Sequence, residues 1–420
     1  MSISLCFVIL TVMQYRTLGS VIERAIDDRR FSPSLLLLSR SVANSVKSYQ
    51  TPTADNLPER LKGRIDVMSP KTVDDVFIGI NTADMLVSTV GPAFLKRSLI
   101  DIFGPLPDER VLHTPMAAVF DTHHSIRPDH DFFGADLSFW PSETYFGWAA
   151  EFFPQERDSF RVRAHCVGYP KGDHAFLPEC RQKAPGTATV LYIPDALRLK
   201  NDPLYLSPWH EHIWCQDRLF YRLAALLKGR LGFANALNLW RHRSLSHAAM
   251  IRALRSFCDS NGARLLMAPR RRKDCAGKKT LTLEEEEAMD ELLEGGVEYP
   301  QSMLTAMKSA DLVISGYRSE SLLDALAAGT PYVTLTTPVA GLSPFLQVHA
   351  VSFDAQRSHF PGANWNVSVG DFITKATALK LSDFRIEPVA LAERRAELVG
   401  PVDGKVADRI LDAVADRLAS

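Results

Sequence analysis

Residues 309–335 read SADLVISGYRSESLLDALAAGTPYVTL. An apolar run, Leu312 to Ile314, meets a small polar segment, Ser315 to Ser321. Leu322, Leu323, Leu326 and Ala327 then recur at helical spacing, and Gly329-Thr330-Pro331 leads into a second apolar run. The pattern predicts strand, loop, helix, turn, strand. In a parallel α/β domain the loop after such a strand lies at the carboxyl edge of the sheet, where ligands bind. The following helix turns unbonded N–H groups and the positive end of its dipole toward that edge, which suits an anion such as a diphosphate. A plain βαβ unit with a polar turn has the same pattern.

Outward from this segment the alternation continues. Thr187 to Ile193 is an apolar β-like run that follows a polar stretch bearing Pro and Gly, Pro178 to Gly186. Tyr205 to Leu227 and Leu245 to Ser260 have helical period, Arg264 to Ala268 reads as a short strand, and Thr282 to Leu293 as an acidic helix. The first half opens with βαβ: a strand from Ile3 to Val12, a helix from about Gln14 to Arg30, and a strand from Leu35 to Leu38. Further strands are predicted at Val76 to Ile80, Met85 to Val90, Ala117 to Phe120 and Arg161 to Val167, with helices at Ala93 to Ile102 and Glu143 to Phe152. Residues 1–180 thus read as one Rossmann-like α/β domain and 187–400 as a second. A closing helix occupies 401–420, with Val406, Ile410, Leu411, Val414 and Leu418 on one face. Two such domains place the carboxyl edges of their sheets face to face across a cleft.

Composition narrows the class. The chain has 420 residues, 46% hydrophobic and 23% charged, which excludes general disorder and allows two sizeable cores. A net charge of −1 provides no general field for nucleic acid. Six scattered cysteines without a Cys-x-x-Cys pair read as reduced thiols, and the expectation is a cytoplasmic protein. Leu5 to Met13 lacks a preceding basic segment and is too short to cross a bilayer, so it reads as a buried first strand. There is no Gly-x-x-x-x-Gly-Lys-Ser/Thr loop, no Gly-x-Gly-x-x-Gly after the first strand and no Gly-x-Ser-x-Gly elbow. These absences argue against P-loop enzymes, dinucleotide dehydrogenases and α/β-hydrolases.

Several motifs carry a family resemblance: Ser315-Gly316-Tyr317-Arg318-Ser319-Glu320-Ser321, then Asp324, then Gly329-Thr330-Pro331. Upstream stand Glu298-Tyr299-Pro300-Gln301 and Ala310-Asp311-Leu312; earlier still come Ala135-Asp136 and Gly168-Tyr169-Pro170-Lys171-Gly172-Asp173. Gly400 to Lys405 followed by Arg409-Ile410 marks the end. On these the chain resembles GT-B fold glycosyltransferases, nearest the bacterial CDP-glycerol glycerophosphotransferase and surface-polysaccharide transferase group. The resemblance is dense from about 260 to 415. It implies a transferase that moves a sugar or polyol phosphate from a nucleotide-sugar or CDP-polyol donor to a glycan or lipid-linked acceptor. It implies no cofactor and no metal, the activated donor being a substrate. A UDP-sugar 2-epimerase shares the fold and the nucleotide loop, although its Gly-His-Arg and Glu-Asn signature is absent; a non-catalytic GT-B-like binder is a further alternative.

Breaking a bond to a nucleotide's phosphate builds negative charge on the leaving group, which prearranged donors must meet. Ser319, Ser321, Arg318 and the backbone at Gly316 can supply them. In the family the acidic residue at the position of Asp324 accepts hydrogen bonds from the ribose hydroxyls. Arg270-Arg271-Arg272-Lys273 follows a strand directly and offers Arg271 as a second phosphate clamp, a solvated basic turn, or a peripheral contact to acidic lipid headgroups at the inner face of the membrane. A base for the acceptor hydroxyl is expected in Asp121 to His130, with His124 first, His123 second and Asp121 or Asp129 orienting it. Adjacent His123 and His124 point apart in most backbones and make no metal pair. Phe132, Phe133, Phe139, Trp140, Tyr145, Phe146 and Trp148 read either as an acceptor platform or as core packing.

Overall fold

A computed structural model describes residues 2–38, 51–106, 114–120, 132–151, 153–180, 186–194, 247–268, 270–271, 279–280, 283–293, 299–316, 321–336 and 359–420. The first sheet contains β1 (Ile3–Ile9), β2 (Phe31–Leu37), β3 (Asp66–Met68), β4 (Met85–Ser88), β5 (Met116–Val119), β6 (Leu137–Trp140) and β7 (Ala164–Cys166). Their order is β3-β2-β1-β4-β5-β6-β7, and all neighbours are parallel. The helices of this half are α1 (Tyr15–Asp27), α2 (Val73–Asn81), α3 (Pro92–Phe103), α4 (Glu143–Ala150) and α5 (Arg157–Arg161). β1 is apolar at nearly every position because both faces are covered. Leu5, Phe7 and Ile9 face Leu18, Val21 and Ile22 of α1, while Cys6 and Val8 join Val76, Ile80, Leu95 and Leu99 from α2 and α3.

One predicted strand is a helix. Val76 to Ile80 lies inside α2, because Thr72 and Asp75 form a capping box: Asp75 N donates to Thr72 Oγ1 at 3.2 Å and Thr72 N donates to Asp75 Oδ2 at 2.9 Å. Val76 and Ile80, one turn apart, are buried, while Ile78 between them is 65% exposed.

The second sheet contains β8 (Thr189–Ile193), β9 (Arg264–Met267), β12 (Glu291–Leu292), β13 (Leu312–Gly316), β14 (Tyr332–Thr336) and β15 (Asn364–Ser368), ordered β12-β9-β8-β13-β14-β15 and parallel throughout. Between β9 and β12, β10 (Arg270–Arg271) pairs antiparallel with β11 (Lys279–Thr280) as a separate ribbon. The helices are α6 (His247–Ser260), α7 (Leu283–Ala288), α8 (Ser302–Ser309), α9 (Ser321–Ala328) and α10 (Val369–Lys375). The acidic helix expected over 282–293 stops at Ala288. Asp290 Oδ2 accepts from Leu265 N and from Arg255 Nη1, both at 2.7 Å, and this pins the chain beside β9 so that it continues as edge strand β12.

Each sheet has its domain's first strand beside its fourth, with the order running outward in opposite senses from that seam. The protein is thus α/β with two Rossmann-like halves in the GT-B arrangement. The chain then returns. α11 (Pro388–Leu398) packs on both α9 and α4, and Ser142 Oγ donates to Glu397 O at 2.5 Å. α12 (Val406–Ala419) lies on α1 of the first half, burying Val406, Ile410, Leu411 and Val414 and pairing Asp412 with Arg30 at 2.7 Å. Outgoing and returning segments touch: a Cβ on Gly168 (φ 106°) would lie 2.8 Å from Pro401 O, and one on Gly400 (φ 71°) 3.1 Å from Gly168 Cα, so both positions require glycine.

A core shared by both halves includes Phe120, Trp140, Tyr145, Leu304, Met307 and Leu322. Phe132, Phe139, Trp140 and Tyr145 are fully buried, with Phe120 and Tyr145 edge to face at 4.9 Å. Phe132, Phe139, Trp140, Tyr145 and Phe146 are therefore packing rather than an open acceptor platform, while the Phe133 side chain lies outside the described residues. Among the described residues no helix is long and apolar enough to cross a membrane.

Candidate functional site

The seam of the second sheet lies between β8 and β13, where a doubly wound sheet opens a crevice at its carboxyl edge. Ser315 pairs with Ile193 on one side and with Thr334 on the other, so three strand ends are level there. Gly316 ends β13 and Ser321 begins α9. The start of α9 therefore directs first-turn N–H groups and its positive dipole end at the crevice. Ser321 is buried, its Oγ 2.8 Å from Tyr332 Oη, which fixes the first turn of α9 to β14. At the other end, Arg395 of α11 donates to the carbonyls of Leu326 (2.7 Å) and Ala327 (3.1 Å), a cation at the negative end of the dipole.

Asp324 sits in the first turn of α9 and is also buried. Its Oδ1 accepts from Tyr169 Oη at 2.9 Å, and Gln301 Nε2 lies 3.5 Å from its Oδ2. The carboxylate thus faces the connection between the two halves. Ser321 and Asp324, both legible in the sequence, come together on one helix turn, and Gly316 is at the same edge. Arg318 and Ser319, with Tyr317 and Glu320, lie outside the described residues. So do His123 and His124, with Asp121 and Asp129. The backbone of Arg271 belongs to the β10–β11 ribbon beyond the end of β9, rather than to a plain turn.

The partners of Asp324 come from segments whose contribution sequence reasoning missed. Gly168 to Asp173 was legible as a turn-rich exit; in the structure Pro170–Phe176 is a 3-10 helix, buried from Pro170 to Ala175. Three residues per turn give it three faces. Asp173 caps the start of α12, accepting from Val406 N at 3.1 Å and Ala407 N at 2.9 Å, and burial raises its pKa to about 6. Gly172 lies against Ala327 of α9, at 3.6 Å for an added Cβ, and Ala175 O accepts from Lys308 of α8. Lys171 and His174 form the third face. His174 Nδ1 accepts the Gln301 N–H at 3.0 Å, and its ring meets Tyr299 at 4.9 Å. Burial, with the nearby charges of Lys171 and Arg16, lowers its pKa to about 3, so the imidazole is neutral.

Tyr299 completes the junction. Its hydroxyl donates to Glu23 of α1, which also accepts from Arg60 at 2.8 Å and Arg64 at 3.2 Å. The Tyr299 ring lies over Gly19, where a Cβ would overlap it. At the carboxyl edge of the first sheet, Gln14 Oε1 accepts from Leu10 N at 2.5 Å while its Nε2 donates to Thr89 Oγ1 at 2.6 Å, closing the turn between β1 and α1 against the end of β4. Among the described residues no group of His, Cys, Asp and Glu is placed to hold a metal ion.

No family model matches the chain, and no curated protein matches it. Solved structures do resemble it. A putative UDP-N-acetylglucosamine 2-epimerase from Listeria monocytogenes superposes with a TM-score of 0.52 at 11% identity, covering 99% of this chain and 97% of its own. The S. aureus MnaA–UDP co-structure gives 0.51 at 10% identity over 99% and 97%. The UDP-GlcNAc 2-epimerase from Neisseria meningitidis bound to UDP-GlcNAc gives 0.50 at 10% identity over 99% and 100%. At such identities the likeness is one of fold, and it spans both halves of the chain.

Proposed function

We propose that the chain is an enzyme acting on a nucleotide-activated sugar, with the nucleotide at the carboxyl edge of the second sheet. The observation that carries this is the end of β13 and the start of α9 at the seam of a doubly wound sheet, in a chain whose fold follows that of structures described with UDP or UDP-GlcNAc over 99% of its length. In this reading Gly316, Arg318, Ser319, Ser321 and Asp324 surround the nucleotide, with Arg271 as a second clamp. No cofactor or metal takes part, and His124 or His123 moves the proton.

Two reactions fit such a site. Epimerisation at carbon 2 of the sugar is favoured by the neighbours, whose names are those of 2-epimerases. Transfer to a glycan or lipid-linked acceptor is favoured by the absence of the Gly-His-Arg and Glu-Asn signature of the 2-epimerases. The neighbours do not favour the CDP-glycerol group over other GT-B enzymes.

Thermal shifts with UDP, CDP, GDP and CMP test the shared reading, since a ligand that binds only the folded chain raises its melting temperature. Arg318→Ala should weaken the responding nucleotide roughly tenfold or more while leaving the ligand-free melting temperature unchanged. No response to any of the four would sink the reading. Incubation with UDP-GlcNAc and no acceptor then separates the reactions: a second UDP-sugar in the NMR spectrum means epimerisation, while nucleotide released only on adding acceptor means transfer.

A further inference from the structure

The carboxylate of Asp324 is covered by two other side chains. Asp324 is 6% exposed, and the residues that meet it are buried as well, Tyr169 at 1% and Gln301 at 4%. Tyr169 Oη donates to Oδ1 at 2.9 Å, and Gln301 Nε2 stands 3.5 Å from Oδ2. The two come from different segments. Tyr169 follows Gly168 (φ 106°), where the chain leaves the first half, and Gln301 immediately precedes α8 of the second. Gln301 is anchored through its backbone: its N–H donates to His174 Nδ1 at 3.0 Å and its carbonyl accepts from Thr305 N at 3.2 Å.

A carboxylate repels phosphate and accepts from hydroxyls, which in a nucleotide are those of the ribose. Such a hydroxyl has to come within about 2.7 Å of a carboxylate oxygen, so a covering group must give way to it. The Tyr169 phenol is a donor of the same kind, already placed on Oδ1. Exchanging one hydroxyl for the other conserves the carboxylate's hydrogen bond. The covered arrangement also leaves polar groups unmatched. Gln301 Oε1, on the amide beside Oδ2, and His174 Nε2, on the ring that accepts the Gln301 N–H, are buried without hydrogen-bond partners. Such groups raise the free energy of the state that contains them, which leaves the covered state poised to admit a donor. Gln301 Oε1 then offers an acceptor to the second hydroxyl of a vicinal pair.

We propose that Tyr169 gates the nucleotide site by competing with a ribose hydroxyl for Asp324, the phenol and the nucleotide taking the same carboxylate in turn. The proposal rests on the nucleotide reading above and adds the regulation of that site. The measured affinity is lowered by the fraction of chains in which the phenol holds the carboxylate. Because Tyr169 belongs to the crossing between the halves, its displacement also removes one tie between that crossing and α9, coupling occupancy of the site to the junction.

Calorimetric titration of the full chain with UDP, CDP, GDP and CMP, and with the 2′,3′-dideoxy form of whichever binds, tests the gate. Tyr169→Phe keeps the ring and removes the competing hydroxyl; it is expected to bind the nucleotide about threefold to tenfold more tightly than wild type. The dideoxy form is expected to bind wild type and variant equally. Tyr169→Met, also without a donor, gives the same readout should Tyr169→Phe not fold. A Tyr169 that only supports the fold predicts the opposite sign, a variant that binds no more tightly than wild type. Wild type that binds a nucleotide, with equal or weaker binding by the variants, overturns the proposal and leaves the nucleotide reading in place. A gain that is as large for the dideoxy form overturns it too, since the hydroxyls are then not what Tyr169 opposes. If neither wild type nor variant binds any of the four, the nucleotide reading itself fails and the gate with it.

Discussion

Asp324 is a buried carboxylate whose hydrogen bonds reach two other segments, so its position reports the assembly of the whole junction. Tyr169→Phe keeps the ring under Lys171 and removes one donor from that carboxylate. The expected loss is about 1–3 kcal/mol, read from the urea midpoint. Gly19→Ala should cost a similar amount, about 1–3 kcal/mol, because the Tyr299 ring must move to admit the new methyl; an unchanged midpoint would show that the ring yields freely. Ser321 and Asp324 were legible because helical spacing puts them at the start of α9. Their partners were not. Tyr332, Gln301 and Tyr169 stand 11, 23 and 155 residues away, and such pairings are set by tertiary packing rather than by local pattern.

Among the elements, the linker 3-10 helix carries two groups with opposite pH dependence. The His174 pKa falls from 6.5 to about 3 on folding, so the unfolded chain takes up a proton that the folded one refuses, and stability is lost as pH drops below 6.5. Asp173 rises from 3.8 to about 6; its contribution is fully present below 3.8 and is lost as pH rises through about 6. Between pH 7 and 5 the two nearly offset. Asp173→Asn should therefore steepen the loss on acidification, and His174→Phe should reverse its sign, each by about 1–2 kcal/mol in urea unfolding at the two pH values. Parallel slopes in all three proteins would rule this out. Elements were legible where a long apolar run or clear helical period existed, as in β1, β13, α9 and α12. Val76 to Ile80 was misread because four apolar residues around Gly79 fit either period, and the deciding contacts, Thr72 to Asp75, lie at the boundary. The strand at Glu291 was hidden because two residues carry no period of their own.

In the molecule as a whole, the last helix belongs to the first domain. Ile410→Ala should cost about 2–5 kcal/mol through the cavity left against α1. Removing residues 406–420 uncovers the apolar face around Leu18 and Ile22, and the expected product is an aggregate in size-exclusion chromatography; a monodisperse truncated chain would contradict the packing described. Two α/β halves were legible from alternation alone, and the solved structures share that architecture over 97% to 100% of their length. Substrate was not, because identities of 10–11% preserve a sheet order while leaving loop chemistry free to change.

The two crossings between the halves also have a mechanical consequence. Because Gly168 and Gly400 run side by side, with Pro141 and Pro401 closing on them, the second domain is an insertion held at both ends rather than a body on a leash. A single strand allows twisting about its own bonds. Two strands pressed together resist torsion, so the contacts at Gly168 and Gly400 oppose twisting of one half against the other.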